Sequence, residues 1–102
     1  MSKQIVFSEK APAAIGPYSQ AVVANGLLFI SGQIALHPET QQLINGSIQE
    51  ETQQVMKNLQ AILWEAGIGF EQVAKTTIFL MDMQDFSVVN EIYATFFSAQ
   101  FP

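Results

Sequence analysis

Two short segments put polar groups where an apolar chain would present them to a small ligand. In Gly16-Pro17-Tyr18-Ser19-Gln20 a phenol follows a rigid Gly-Pro turn, so its hydroxyl can be held at the rim of a cleft. In Ser31-Gly32-Gln33 a hydroxyl and an unobstructed amide close an apolar run. Glycine there lets a ligand meet the backbone N–H, an arrangement that commonly holds small anions and developing negative charge. A few convergent polar groups on an apolar wall are the usual make-up of a small-molecule site. Asn90, beside an apolar helical stripe, is a third candidate.

The other chemistry-bearing residues have simpler explanations. His37 is the only histidine and precedes Pro38 in a turn, and a metal site around it would have to be completed by carboxylates alone. Asp82 and Asp85 stand three apart where a strand should join a helix, which suits a helix cap and a turn residue better than an acid/base pair. Glu50 and Glu51 fall in the first turn of a helix, where the macrodipole favours negative charge. Asn45-Gly46-Ser47 fits the glycosylation acceptor pattern, but no secretion signal accompanies it. Gly67 and Gly69 neither follow a strand nor open a helix as a phosphate loop requires. Phe96 and Phe97 read as core or interface rather than as part of a cofactor box.

Stepping outward, 102 residues suit one domain, 1–102, which can bury roughly 65% of its unfolded surface. The formal charge is −5, and the four lysines (Lys3, Lys10, Lys57, Lys75) are scattered with no arginine among them. No cluster is available to release counterions from phosphates, so nucleic acid is an unfavourable partner. The absence of cysteine excludes disulfides, thiolate metal sites and thiol nucleophiles, and suits a reducing cytosol. With no apolar leader after Lys3 and no run of 18 apolar residues, the expectation is a cytoplasmic chain without a membrane span. Charged residues make up only 13% against an ordinary share of about 25%, while 49% are apolar. Buried subunit contacts would account for that imbalance.

The elements that must position the candidates follow from local patterning. A short strand is expected over Ile5–Phe7, then a break at Pro12, Gly16 and Pro17. Ala21-Val22-Val23-Ala24 and Leu27-Leu28-Phe29-Ile30 flank Asn25-Gly26, the dipeptide best suited to the positive φ angles of a type I′ hairpin turn. The second arm continues to Leu36, interrupted at Ser31-Gly32-Gln33 by a bulge or a close backbone approach. Ser47 and Glu50 have capping-box spacing, and Val55, Leu59, Ile62, Leu63 and Ala66 form one helical stripe that Gly67 ends. Val73–Met81 is β-branched and aromatic, with apolar residues on both faces near its end, and is expected to be a strand covered on both sides. Asp85 is expected to cap a second helix carrying Phe86, Val89, Tyr93, Phe96 and Phe97. A chain that stops just after an aromatic helix leaves the sheet without a next strand, so the natural fold is expected to continue past Pro102.

Four segments in register carry a resemblance. They are Ala14-Ile15-Gly16-Pro17-Tyr18-Ser19-Gln20-Ala21, Phe29-Ile30-Ser31-Gly32-Gln33-Ile34, Glu51-Thr52-Gln53-Gln54-Val55-Met56-Lys57-Asn58-Leu59, and Asn90-Glu91-Ile92-Tyr93 followed by Phe96-Phe97. In order and spacing the whole chain resembles the RidA/YjgF family of reactive-intermediate (enamine/imine) deaminases. The resemblance implies an α+β, chorismate-mutase-like fold: a mixed β-sheet with two helices packed on one face, assembled as a homotrimer with a central barrel and active sites between subunits. It implies hydrolysis of 2-aminoacrylate and related 2-imino or 2-enamino acids to 2-keto acids and ammonia, with no cofactor and no metal. Carried over by position, the Gly32 amide holds a substrate carboxylate oxygen, Ser31 and Asn90 support the pocket, and Tyr18 lines it, in one version from the neighbouring subunit. The family's arginine and glutamate, on two C-terminal strands, would lie beyond Pro102, so the domain is expected to be C-terminally incomplete. Two other readings accompany this one. The first is a translation inhibitor or endoribonuclease, which the acidic charge and scattered lysines oppose. The second is a ligand-sensing trimer without catalysis, which the missing arginine would favour.

Overall fold

The computed structural model describes residues 2–102. Its sheet grows from the Asn25-Gly26 turn, where φ is 53° and 78°, the left-handed geometry expected. Strands β2 (Ala21–Ala24) and β3 (Leu27–Ile30) pair antiparallel with Ala24 opposite Leu27, and β1 (Gln4–Val6) adds to β2 with Ile5 opposite Val22. The opening strand thus starts one residue earlier than expected. The three described strands are all antiparallel, in the order β1-β2-β3.

Helix α1 (Ile48–Glu65) begins where Ser47 Oγ accepts the Glu50 N–H at 3.1 Å. It ends in a Schellman motif, in which Ile68 N–H donates to Leu63 O and Gly67 N–H to Trp64 O while Gly67 takes φ +81°. Helix α2 (Phe86–Ala94) is entered through a single 3₁₀ turn, Met83–Asp85. Here the expected cap moves. Asp82, not Asp85, accepts the Gln84 N–H at 2.9 Å, because the extra tight turn starts the helical path three residues earlier.

The expected strand over Val73–Met81 has no strand partner among the described residues. A strand is defined by its ladder, and without a neighbour the β-branched run stays unpaired with Phe79 and Met81 almost wholly exposed. One tie to the helical layer is the 2.6 Å hydrogen bond between the Thr76 and Tyr93 hydroxyls.

The two helices cover one sheet face. Met56 and Leu63 of α1 meet Phe70 and Phe97, and half-buried Tyr93, Phe96, Leu28 and Ile30 close around them. Phe70 packs edge-on against Phe97 with centroids 5.3 Å apart. Ile62, fully buried, joins Ala11 and Ala21 in a second cluster at the sheet. On the buried side of α1 lie Thr52, Met56, Asn58, Ile62 and Leu63, so the covered face is rotated from the expected stripe and includes two polar side chains. Because successive strand residues alternate, Leu28 and Ile30 face the helices while Ile5, Leu27 and Phe29, each more than half exposed, are left on the open face.

Candidate functional site

The regular ladder ends at Ile30, and the chain then makes three residues of a different kind. Ser31 is held twice: its N–H donates to Gln20 O at 3.0 Å, and its hydroxyl donates to Ser19 O at 2.6 Å. These bonds draw the Gly16–Gln20 turn alongside the end of β3, so Tyr18, Ser31 and Gly32 belong to one neighbourhood. Gln33 Nε2 folds back onto Ser31 O at 3.1 Å.

Gly32 is exposed, and none of the hydrogen bonds among the described residues uses its N–H. Its φ is not in the left-handed region, and a Cβ built on it would meet nothing within 4 Å. Gly26 and Gly67 are explained by their positive φ, but nothing within the chain demands glycine at 32. An open amide with room in front of it is what an anionic ligand needs.

Tyr18 is half exposed in a tight turn where its N–H donates to Gly16 O at 2.8 Å. Its hydroxyl makes one long contact, 3.5 Å from the Ile15 N–H, and remains available to a ligand. Asn90 lies exposed on α2, and none of the described hydrogen bonds joins it to the Ser31–Gly32 segment. Hydrogen bonding therefore ties the Tyr18 turn to the Ser31–Gly32 segment, and no described hydrogen bond ties Asn90 to it. Two shallow surface depressions lie along α1, one bordered by Ile44, Gln53 and Lys57 and the other by Lys10, His37 and Asn58. Tyr18, Ser31, Gly32 and Asn90 border neither depression, and in the single chain Tyr18, Gly32 and Asn90 are exposed while Ser31 is half-buried.

His37 is a turn residue. Its Nδ1 accepts the N–H groups of Glu39 at 3.1 Å and Thr40 at 3.4 Å, standing in for a backbone carbonyl. No group of three or more His, Cys, Asp or Glu side chains among the described residues could hold a metal ion.

Two amides hold the site in place, Gln20 at the end of the first candidate segment and Asn58, which lies outside both. Buried Gln20 accepts the Ser8 N–H and donates to Ser8 O, Ala11 O and Pro12 O, fixing the approach to the Gly16 turn while its own carbonyl receives Ser31. Asn58, fully buried on α1, donates to Ile34 O at 3.1 Å and Leu36 O at 3.0 Å and accepts Gln54 Nε2 at 2.9 Å. The signal for Asn58 was present: it is four residues before Ile62, a poor helix former on an apolar face, where a polar group must find partners.

The model of the family described as Endoribonuclease L-PSP matches residues 8–102. The chain is 50% identical over 102 residues to "Reactive Intermediate Deaminase A, chloroplastic" of Arabidopsis thaliana, covering all of this chain and 54% of that one. It is 50% identical over 100 residues to the mouse 2-iminobutanoate/2-iminopropanoate deaminase, covering 98% of this chain and 73% of that one. Among solved structures, a Rid-family protein of Yersinia pestis, YyfA, superposes with a TM-score of 0.95 at 42% identity, covering 99% of this chain and 80% of that one. The chain thus spans about half the length of the plant relative and about three quarters of the mouse one. No helix among the described residues is long and apolar enough to cross a membrane.

Proposed function

The chain belongs to the RidA/YjgF family, and on that premise we propose that it serves the hydrolytic deamination of reactive 2-imino and 2-enamino acids. The substrates are of the 2-aminoacrylate type, and the products are a 2-keto acid and ammonia. The observation that carries this reading is the uncommitted Gly32 amide, fixed at the end of β3 by the two Ser31 bonds and unobstructed in front.

In this reading the Gly32 N–H binds one oxygen of the substrate carboxylate. Ser31 sets the direction of that amide, and the Tyr18 ring and hydroxyl form the rim. After tautomerisation of the enamine, water adds to the imine carbon, a C–O bond forms, the C–N bond breaks, and ammonia leaves a keto acid. This chemistry needs an oriented, polarised substrate more than a strong protein nucleophile, which suits a neighbourhood without cysteine or histidine. Asn90 supports the pocket with Ser31, and a second wall comes from a neighbouring copy in a homotrimer, an arrangement supported by the uncovered apolar sheet face. The printed names of the plant and mouse relatives support the deaminase class.

The test supplies 2-aminoacrylate from a serine dehydratase and follows pyruvate release with and without the full-length protein. Faster release is expected, and no acceleration would sink the reading. RNA cleavage, suggested by the family model's description, is opposed by the charge of −5 and the scattered lysines. Incubation with single-stranded RNA in the same buffer should leave it intact.

A further inference from the structure

We propose that Asn58 is a positioning residue for the Gly32 amide, acting from helix α1 through the carbonyls of Ile34 and Leu36. Beyond Ile30 the chain has left the ladder, so Ser31-Gly32-Gln33 can hold a fixed direction only if both its ends are anchored. The leading end is anchored by Ser31 to Ser19 O and Gln20 O. At the trailing end Leu36 N–H closes on Ile34 O at 2.8 Å, a tight three-residue turn around buried Ala35, and both carbonyls of that turn receive Asn58 Nδ2.

The asparagine side chain suits this work. Two donors on one planar nitrogen reach two carbonyls two residues apart, and Oδ1 is turned away by the Gln54 Nε2 that donates to it. Aspartate would keep the acceptor but set a carboxylate oxygen against two carbonyl oxygens. Leucine would leave Leu36 O without that donor in a part-buried place. Burying a fully used amide in the middle of a helix is costly to arrange, and its two long-range partners both lie in the loop that follows Gly32.

This inference rests on the proposed role of Gly32, and the experiment separates the two. Gln54→Met removes the donor that orients Asn58 from a half-buried position outside the core clusters, and Asn58→Asp removes the two donors themselves. Each variant and the parent are assayed for KM and kcat with 2-aminoacrylate, and amide hydrogen exchange at Leu36 and Ile44 is followed on the same samples. A carboxylate contact felt equally in ground and transition states appears in KM, so a rise in KM of about threefold for Gln54→Met and about tenfold or more for Asn58→Asp is expected, with kcat within about twofold. Exchange at Leu36 and Ile44 should quicken in the same order. A fall in kcat with KM unchanged, or unaltered exchange in Gln54→Met, would overturn the proposal. If the parent shows no turnover, the deaminase reading fails by itself. Binding of pyruvate, read at the Gly32 amide by NMR, then decides the positioning role, with weaker binding in Gln54→Met supporting it and equal binding overturning it.

Discussion

A single methyl group is the sharpest probe of the Ser31–Gly32 neighbourhood. Since Gly32 has no strained φ and open space where a Cβ would go, Gly32→Ala should be neutral or stabilising by about 0.4–1 kcal/mol in thermal unfolding, through the reduced freedom of the unfolded chain. Gln20→Leu should do the opposite. It strands the Ser8 N–H and several carbonyls in a buried place, and a loss on the order of 2–4 kcal/mol is expected by urea unfolding, consistent with more than one unsatisfied group. His37→Asn should leave turnover within about twofold, because the imidazole only accepts two turn amides and an asparagine side chain can do the same. At this scale the Tyr18, Ser31 and Gly32 neighbourhood was legible, since unusual polar residues interrupt apolar runs there. The anchoring roles of Gln20 and Asn58 were not legible, even though a polar residue on an apolar helix face marks Asn58, because those roles depend on which distant backbone groups they meet, 8 to 12 residues away for Gln20 and 22 and 24 for Asn58.

The elements divide into those specified locally and those that need a partner. The hairpin and α1 carry their own instructions in Asn25-Gly26, in Ser47 and in Gly67; α1 forms where expected, and the hairpin does so up to Ile30, short of the expected continuation of its second arm to Leu36. Those instructions can be weighed: Ser47→Ala should cost about 1 kcal/mol by loss of the cap, and Gly67→Ala about 1 kcal/mol by strain at φ +81°, both read as shifts in the urea midpoint at constant slope. The second helix was legible in its apolar spacing but not in its start, since either Asp82 or Asp85 had the right chemistry and only the extra 3₁₀ turn decides between them. Val73–Met81 shows the limit of propensity. Its residues favour a strand, yet a ladder requires a neighbour at about 4.8 Å, and no residue type can supply that from within the segment.

Across the whole molecule, apolar area is distributed unevenly. The helical side of the sheet is closed by Met56, Leu63, Phe70 and Phe97, whereas Ile5, Leu27 and Phe29 on the other side, with Phe79 and Met81 beyond, remain exposed. Such surfaces mark association sites, and the proposed homotrimer gives them cover while bringing a second wall to the open Gly32 site. Phe29→Lys should therefore shift the protein toward monomer in sedimentation velocity and depress turnover with it. A variant that stays associated would speak against that face as the contact. The low charge content was the early sign of this surface, but which face it occupies depends on the register that sets Ile5, Val22 and Phe29 in one row. The central claim, that the free Gly32 amide binds the carboxylate of a reactive imino acid, is met most directly by pyruvate release from 2-aminoacrylate in the parent and in Gly32→Ala. Acceleration by the parent is expected, with a loss of roughly ten- to a hundredfold in kcat/KM for the variant, the worth of a hydrogen bond to a charged group, and no loss of thermal stability. Equal rates in the two proteins, or no acceleration by the parent, would contradict it.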